Sequence, residues 1–405
     1  MLKINKILLF LGVFFVFLES TKFIPGSFNV KPLSDIFFVL LFLKLIVEKN
    51  TLKFDKYFFT FIFLTFIYSF AILNRFSIER LFSYIVGFVI YSTLRNINKV
   101  ELVKKAIYWS IYINIIVGFF QLLYILTKNS FFRLGFIIKE IISSGAPGGF
   151  RIILLDFEPS WAGRYLVFSL IFVIFDTKKF KHKNLLIIFL SLLLFFTLSL
   201  SAFLILLISI IIYTLFYRRK LKYYKKYINY LIIFLIILLA IYIPLQTNPY
   251  INWMVNRIYN LFYYGINPKY DGSVFTRFSV PYTGLYLFSK NPIFGIGIGQ
   301  FPIKFHKYYT SLFGFNVSGE MKYVIRFDLP YDPKSFFITI LSEGGLITFS
   351  FYLIFLYKLY IKTRKSNELS KAMFSYSISI SFFGYSAFLP ILWIALYLAS
   401  TNSDS

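Results

Sequence analysis

The chain has 405 residues, of which 58% are hydrophobic and only 15% charged, a balance that excludes an ordinary soluble protein and reads as an integral membrane protein. Its 43 Lys and Arg against 17 Asp and Glu give a net charge of +26. The positive residues fall in short runs between apolar stretches, which is the footprint of membrane topology and of contact with anionic lipid, not of nucleic-acid binding. With no Cys and only two His, His182 and His306, disulfides, thiol nucleophiles and a histidine metal cluster are excluded. No metal or other cofactor is expected.

A bilayer core of about 30 Å takes roughly 17–25 apolar residues per helix. Twelve stretches qualify, near residues 7–23, 33–47, 57–73, 81–94, 106–127, 161–175, 185–198, 202–217, 228–245, 335–356, 372–385 and 388–399. The first has the basic start and apolar run of a signal peptide. Glu19-Ser20-Thr21-Lys22 offers no small-x-small cleavage site, so it reads as a retained span. Alternate connections carry the basic runs, at residues 3–6, 49–56, 95–105, 178–183, 218–226 and 358–371. The positive-inside rule therefore puts both termini in the cytoplasm, and His182 falls in a solvated basic loop.

The whole of 1–405 reads as one transmembrane domain with two long outward connections, a shorter loop at 128–160 and a long loop at 246–334 large enough to fold as a small cap. Long loops are where function concentrates. Ionised side chains within spans are costly, which singles out Lys44, Arg164 and Glu343. Lys44 lies near a cytoplasmic helix end and snorkels. Arg164 lies about one turn into the sixth span, with Glu158 and Asp156 as the nearest carboxylates, and ion pair and substrate contact are equally good readings. Glu343, followed by Gly344-Gly345, interrupts the tenth span and needs a partner, an arginine by preference.

Residues 143–151 form a glycine-rich turn that delivers Arg151 to the outer face. No GKS or GKT follows, so it is not a nucleotide P-loop. In the long loop, Arg277 precedes Pro281, which suits the first turn of a helix running to about Lys290 and stopped by Asn291-Pro292. Gly295-Ile296-Gly297-Ile298-Gly299 lacks the surroundings of a dinucleotide fingerprint and reads as a close-packed turn. His306, Glu320, Arg326, Asp328, Asp332 and Lys334 are the polar residues ahead of the tenth span.

Three groups of residues together resemble the O-antigen polymerase and O-antigen ligase superfamily. They are Arg151 with Phe157-Glu158-Pro159-Ser160 and Gly163, Arg277 leading to Asn291-Pro292-Ile293-Phe294-Gly295-Ile296-Gly297, and Leu341-Ser342-Glu343-Gly344-Gly345-Leu346-Ile347. The order of spans and loops is similar too. The resemblance implies an all-α polytopic fold of about twelve transmembrane helices, like the GT-C class of lipid-sugar glycosyltransferases, in the bacterial cytoplasmic (inner) membrane with the active site on its outer face. It implies a glycosyltransferase acting on undecaprenyl-pyrophosphate-linked glycans as donor and acceptor, with membrane lipid and a chain-length regulator as further partners. The ligase branch has a functional His just before the Glu-x-Gly span. Here that place reads Asp332-Pro333-Lys334-Ser335-Phe336, which favours a polymerase of O-antigen, capsule or exopolysaccharide repeats over a ligase, with a lipid-linked oligosaccharide flippase as the rival from another class.

A sugar on a lipid pyrophosphate already carries its leaving group, so the charge that develops sits on phosphate oxygens and suits arginine. Arg151, Arg164, Arg277 and Arg326 are the expected pyrophosphate contacts. Arg277 also acts in catalysis, and Glu158 is the first choice of base for the acceptor hydroxyl, with His306 second.

Overall fold

The computed structural model describes residues 3–18, 32–48, 52–143, 151–156, 158–177, 182–217, 272–315, 320–384 and 389–401, with six isolated positions between 252 and 264. The predicted span at 228–245 and most of the glycine-rich turn, at 144–150, lie outside the described residues. Among these residues the regular elements are all helices: α1 (Lys3–Phe14), α2 (Pro32–Glu48), α3 (Lys56–Ala71), α4 (Arg75–Ile97), α5 (Val100–Thr127), α6 (Leu134–Ile142), α7 (Pro159–Phe175), α8 (Lys183–Phe196), α9 (Leu200–Tyr217), α10 (Gly272–Lys290), α11 (Phe301–Phe313), α12 (Glu320–Arg326), α13 (Phe336–Arg364), α14 (Glu368–Phe383) and α15 (Pro390–Ser400). Each predicted apolar stretch within the described residues coincides with a helix. By length and hydropathy α5, α9 and α13 suffice to cross a membrane, while α3, α7, α8 and α15 are apolar but shorter.

The chain divides into two compact units, one of residues 1–63, 82–218 and 351–405, the other of residues 64–81 and 219–350. In the first unit α14 packs on α9, α15 and α7, while α1 packs on α2 and α5. Its aromatic wealth is used in stacking: Phe58 stacks on Phe355 at 4.8 Å and on Trp393 at 5.2 Å between ring centroids. Gly87 makes room for that indole, since a Cβ there would come within 2.2 Å of it. Buried polar groups are tied across helices, as burial requires. Gln121 of α5 donates to the carbonyls of Gly135 (3.1 Å) and Leu154 (2.8 Å) and accepts from the amides of Ile153 (3.1 Å) and Leu154 (2.9 Å). One amide side chain thus fixes the segment that leads to Glu158. Asp176, fully buried, pairs with Lys104 at 3.2 Å and accepts from the Tyr108 hydroxyl at 2.8 Å.

The second unit has its own core. On α11 the stripe Phe301, Phe305, Tyr309 recurs every four residues, the spacing of one helix face, and buries against Val280 and Leu287 of α10, Met321, Val324 and Ile325 of α12, and Tyr331. Tyr309 shares a hydrogen bond with Ser279 at 3.0 Å, and burial raises its phenol pKa above the usual value. One expectation is corrected here: α10 starts at Gly272, not at Pro281, so the proline sits inside the helix rather than in its first turn. Pro281 cannot donate to the carbonyl of Arg277, and the packing of α10 on α11 and α12 holds the helix through it. Its end at Lys290, before Asn291-Pro292, agrees with the sequence.

Candidate functional site

The second unit is built around a broken helix. α13 consists of two helical segments joined at a kink, where Gly345 has φ 65° and ψ −170°, a conformation open essentially to glycine alone. The backbone groups freed by the break are taken up by the Asn-Pro-Ile-Phe-Gly-Ile-Gly segment. The amides of Ile296 and Gly297 donate to the carbonyls of Ser342 (2.8 Å) and Glu343 (3.0 Å), and the Leu346 amide donates to the Pro292 carbonyl at 2.8 Å. The glycines are required by contact: a Cβ on Gly295 would lie 2.5 Å from the Glu343 carbonyl, and one on Gly299 would lie 2.3 Å from the Ser77 amide. The alternating Gly-Ile sequence is therefore a close-packed turn wedged between the break in α13 and the first turn of α4, where Ser77 donates to the Ile298 carbonyl at 2.7 Å.

Beside this turn lies a buried charge chain. Arg80, on the same α4 face as Ser77, is 3% exposed; its Nε lies 3.2 Å from Glu343 Oε2 and its Nη2 pairs with Asp332 Oδ1. Glu343 is fully buried, and its Oε1 accepts from the Phe301 amide at 3.4 Å. Asp332, just ahead of α13, keeps 20% of its side chain exposed. The partner that Glu343 needs is thus an arginine, but one absent from the expected clamp. The sequence carries a signal for it: Ser77 and Arg80, three residues apart, share the inward face of α4, while Arg75 and Glu79 pair with each other at 2.8 Å on its outward side.

Of the expected site residues, the second unit holds Arg277, His306 and Arg326. Arg277 is half-buried on α10, and Arg326 ends α12 with its guanidinium 5.6 Å from the Phe327 ring centroid. His306 Nε2 faces the Ile325 carbonyl at 3.0 Å, and Nδ1 lies 3.5 Å from Asp328 Oδ1. Because a carbonyl only accepts, Nε2 carries the proton and ties α11 to α12. The first unit holds the others. Glu158 is the N-cap residue of α7, with Pro159 at the first helical position, and its carboxylate accepts from the Ser160 hydroxyl. A carboxylate there is favoured by the helix dipole. Arg151 donates to the carbonyls of Thr197 (2.8 Å) and Leu198 (3.0 Å), closing the C-terminal end of α8. Arg164 is 5% exposed over the Trp161 ring at 5.3 Å, and its Nε and Nη1 meet no hydrogen-bond acceptor among the described residues.

Arg151→Ala is expected to cost about 1.5–3 kcal/mol of stability, the range for hydrogen bonds to a charged group, because two carbonyls at the end of α8 lose their donor. A lowered melting temperature of the purified variant in detergent checks this, and an unchanged one would show that the capping bonds contribute nothing. Among the described residues no three His, Cys, Asp or Glu side chains gather as metal ligands.

Residues 185–353 match the family model described as O-antigen ligase, a segment that contains the glycine turn, the broken α13, Arg277, His306 and Asp332. That segment of the chain is similar to the O-antigen ligase family, in line with the resemblance carried by the three groups of residues. A comparison with curated proteins gives no match. The apolar helices make it an α-helical membrane protein, and the matched family is one of glycan processing.

Proposed function

We propose that this protein is a glycosyltransferase that polymerises lipid-linked oligosaccharide repeats, moving a growing glycan from undecaprenyl pyrophosphate to the terminal sugar hydroxyl of another lipid-linked repeat at the outer face of the cytoplasmic membrane. The carrying observation is Arg164, a buried guanidinium with two donors that meet no acceptor among the described residues, in a membrane protein whose residues 185–353 match this family. A desolvated cation with unused donors is costly unless an anion completes it, and a lipid pyrophosphate is the anion this superfamily's chemistry offers. In the second unit, taken by itself, Arg277 and Arg326, both within residues 185–353, are the residues we assign to phosphate oxygens. Two phosphates with planar, bidentate geometry call for guanidinium and are poorly served by a point charge.

The twelve-span, cytoplasmic-termini topology belongs to this reading, as does the likeness to the GT-C class. A ligase is the second reading, favoured by the description of the matched family model; the Asp332–Phe336 stretch, which has no His, supports the polymerase. The test is reconstitution of the purified protein with lipid-linked repeats alone. A ladder of lengthened glycans on lipid is the expected product. Product only after a separate glycolipid acceptor is added would make the protein a ligase, and transbilayer movement without a new bond would make it a flippase. In the same assay Arg277→Ala is expected to lower the rate by at least about 100-fold, the range for loss of one transition-state charge contact, and Arg277→Lys to recover little of it. A wild-type rate for the alanine variant would remove Arg277 from the site.

A further inference from the structure

A base for the acceptor hydroxyl has to be held in place and reachable. In the second unit the described carboxylates separate on these criteria. Glu343 is held but fully buried. Asp328 is reachable, at 78% side-chain exposure, but its one described contact is the 3.5 Å approach to His306. Glu79 is bound in the helical pair with Arg75. His306, the expected second choice, has Nε2 held by the Ile325 carbonyl, and its remaining basic nitrogen, Nδ1, is turned to the Asp328 carboxylate at 3.5 Å. Asp332 meets both conditions. Its Oδ1 is fixed by Arg80, which is itself anchored by Glu343, while Oδ2 has no partner among the described residues and the side chain is one-fifth exposed.

We infer that Asp332 is the catalytic base, with Arg80 as the positioning residue that aims its free oxygen. This rests on the glycosyl-transfer reading above. In the step, an oxygen lone pair of the acceptor hydroxyl forms the new bond to the anomeric carbon. The bond from that carbon to the pyrophosphate oxygen breaks, and its electron pair leaves with the pyrophosphate. The hydroxyl proton passes to Asp332 Oδ2 and from there to solvent. A carboxylate is a weak base, and it is enough here because the hydroxyl becomes strongly acidic only once its oxygen has begun to bond. The Arg80 contact fixes one oxygen of Asp332, so the other presents its lone pair in a constant direction.

The experiment compares wild type with Asp332→Asn, which keeps the shape and an oxygen that accepts from Arg80. At saturating lipid-linked repeat the asparagine variant is expected to turn over at least about 100-fold more slowly, the lower end for loss of a general base, with KM within about twofold and an unchanged melting temperature. An asparagine variant of normal stability within about threefold of the wild-type rate would overturn the inference, as would a parallel rise in KM and fall in melting temperature, which a merely structural aspartate produces. Should Asp332→Asn fail to fold, Asp332→Ala with added formate decides: a rate that rises with formate concentration supports the base, and a rate that stays flat overturns it. A wild-type protein that makes no covalent product from lipid-linked repeats defeats the glycosyl-transfer reading itself, an outcome distinct from an active wild type with an equally active Asp332→Asn.

Discussion

Gly345→Ala is expected to abolish folded protein, with a loss of about 3 kcal/mol or more, since the backbone conformation alone costs a non-glycine residue about 1–3 kcal/mol and the steric conflict adds to it. At φ 65° and ψ −170° an alanine Cβ would lie 2.3 Å from the Ile293 carbonyl oxygen and 2.5 Å from the Gly295 amide. Both are backbone atoms that cannot rotate away. The neighbouring Gly344 provides the comparison: it is helical, so an alanine there carries no backbone strain, but its Cβ would lie 2.8 Å from the Thr348 Cβ, and the helix has to give by a few tenths of an ångström. Fluorescence-detected size exclusion of both variants in detergent should therefore give a destabilised but largely monodisperse Gly344→Ala protein and an aggregated Gly345→Ala one. Equal behaviour of the two would mean that the break in α13 is not fixed by its contact with the 291–297 segment.

That pair of glycines also shows how far the sequence could be read. The Glu-Gly-Gly interruption announces a bend or a close approach, because two glycines in an apolar helix weaken it without adding contacts. Their different duties, one helical and one left-handed, are set by the Ile293–Gly297 backbone some fifty residues earlier, and no local pattern encodes that partner. The same holds for Arg80. Its place on the inward face of α4 follows from helical spacing, but its position at the start of an apolar stretch reads equally as an interfacial arginine. Only the long-range packing of α4 on the glycine turn, through Ser77 and Gly299, brings it to Glu343.

The apolar stretches were legible because hydrophobic length is a property of the local chain, and each described one coincides with a helix. Pro281 misled for the complementary reason. Proline at the first turn is a sound local expectation, but α10 gains enough by burying Val280 and Leu287 to run through it. The motif around Glu158 was legible as a motif and less so as chemistry. Its proline and serine build a helix start, and the serine hydroxyl binds the carboxylate that was expected to act as base.

Arg80→Met is expected to be the most damaging single change to the charge chain, at about 3–5 kcal/mol, the cost of stranding a buried charge when its partner is removed. Glu343, fully buried, would lose its counter-charge in a site that water does not reach. Glu343→Gln should cost less, because Arg80 retains Asp332 and the glutamine still accepts from the Phe301 amide. The double variant Arg80→Met/Glu343→Met removes both buried charges and refills the space with apolar side chains, a replacement that is often neutral for stability. Asp332, partly exposed, then hydrates on its own. Melting temperatures are accordingly expected to rank the double variant near wild type, Glu343→Gln below it and Arg80→Met lowest. Activity should not follow stability: the double variant folds but leaves Asp332 without the guanidinium that fixes its direction, so it should polymerise little or nothing. A double variant that recovers both melting temperature and polymer ladder would reduce the Arg80 chain to scaffolding and free Asp332 from any need to be aimed.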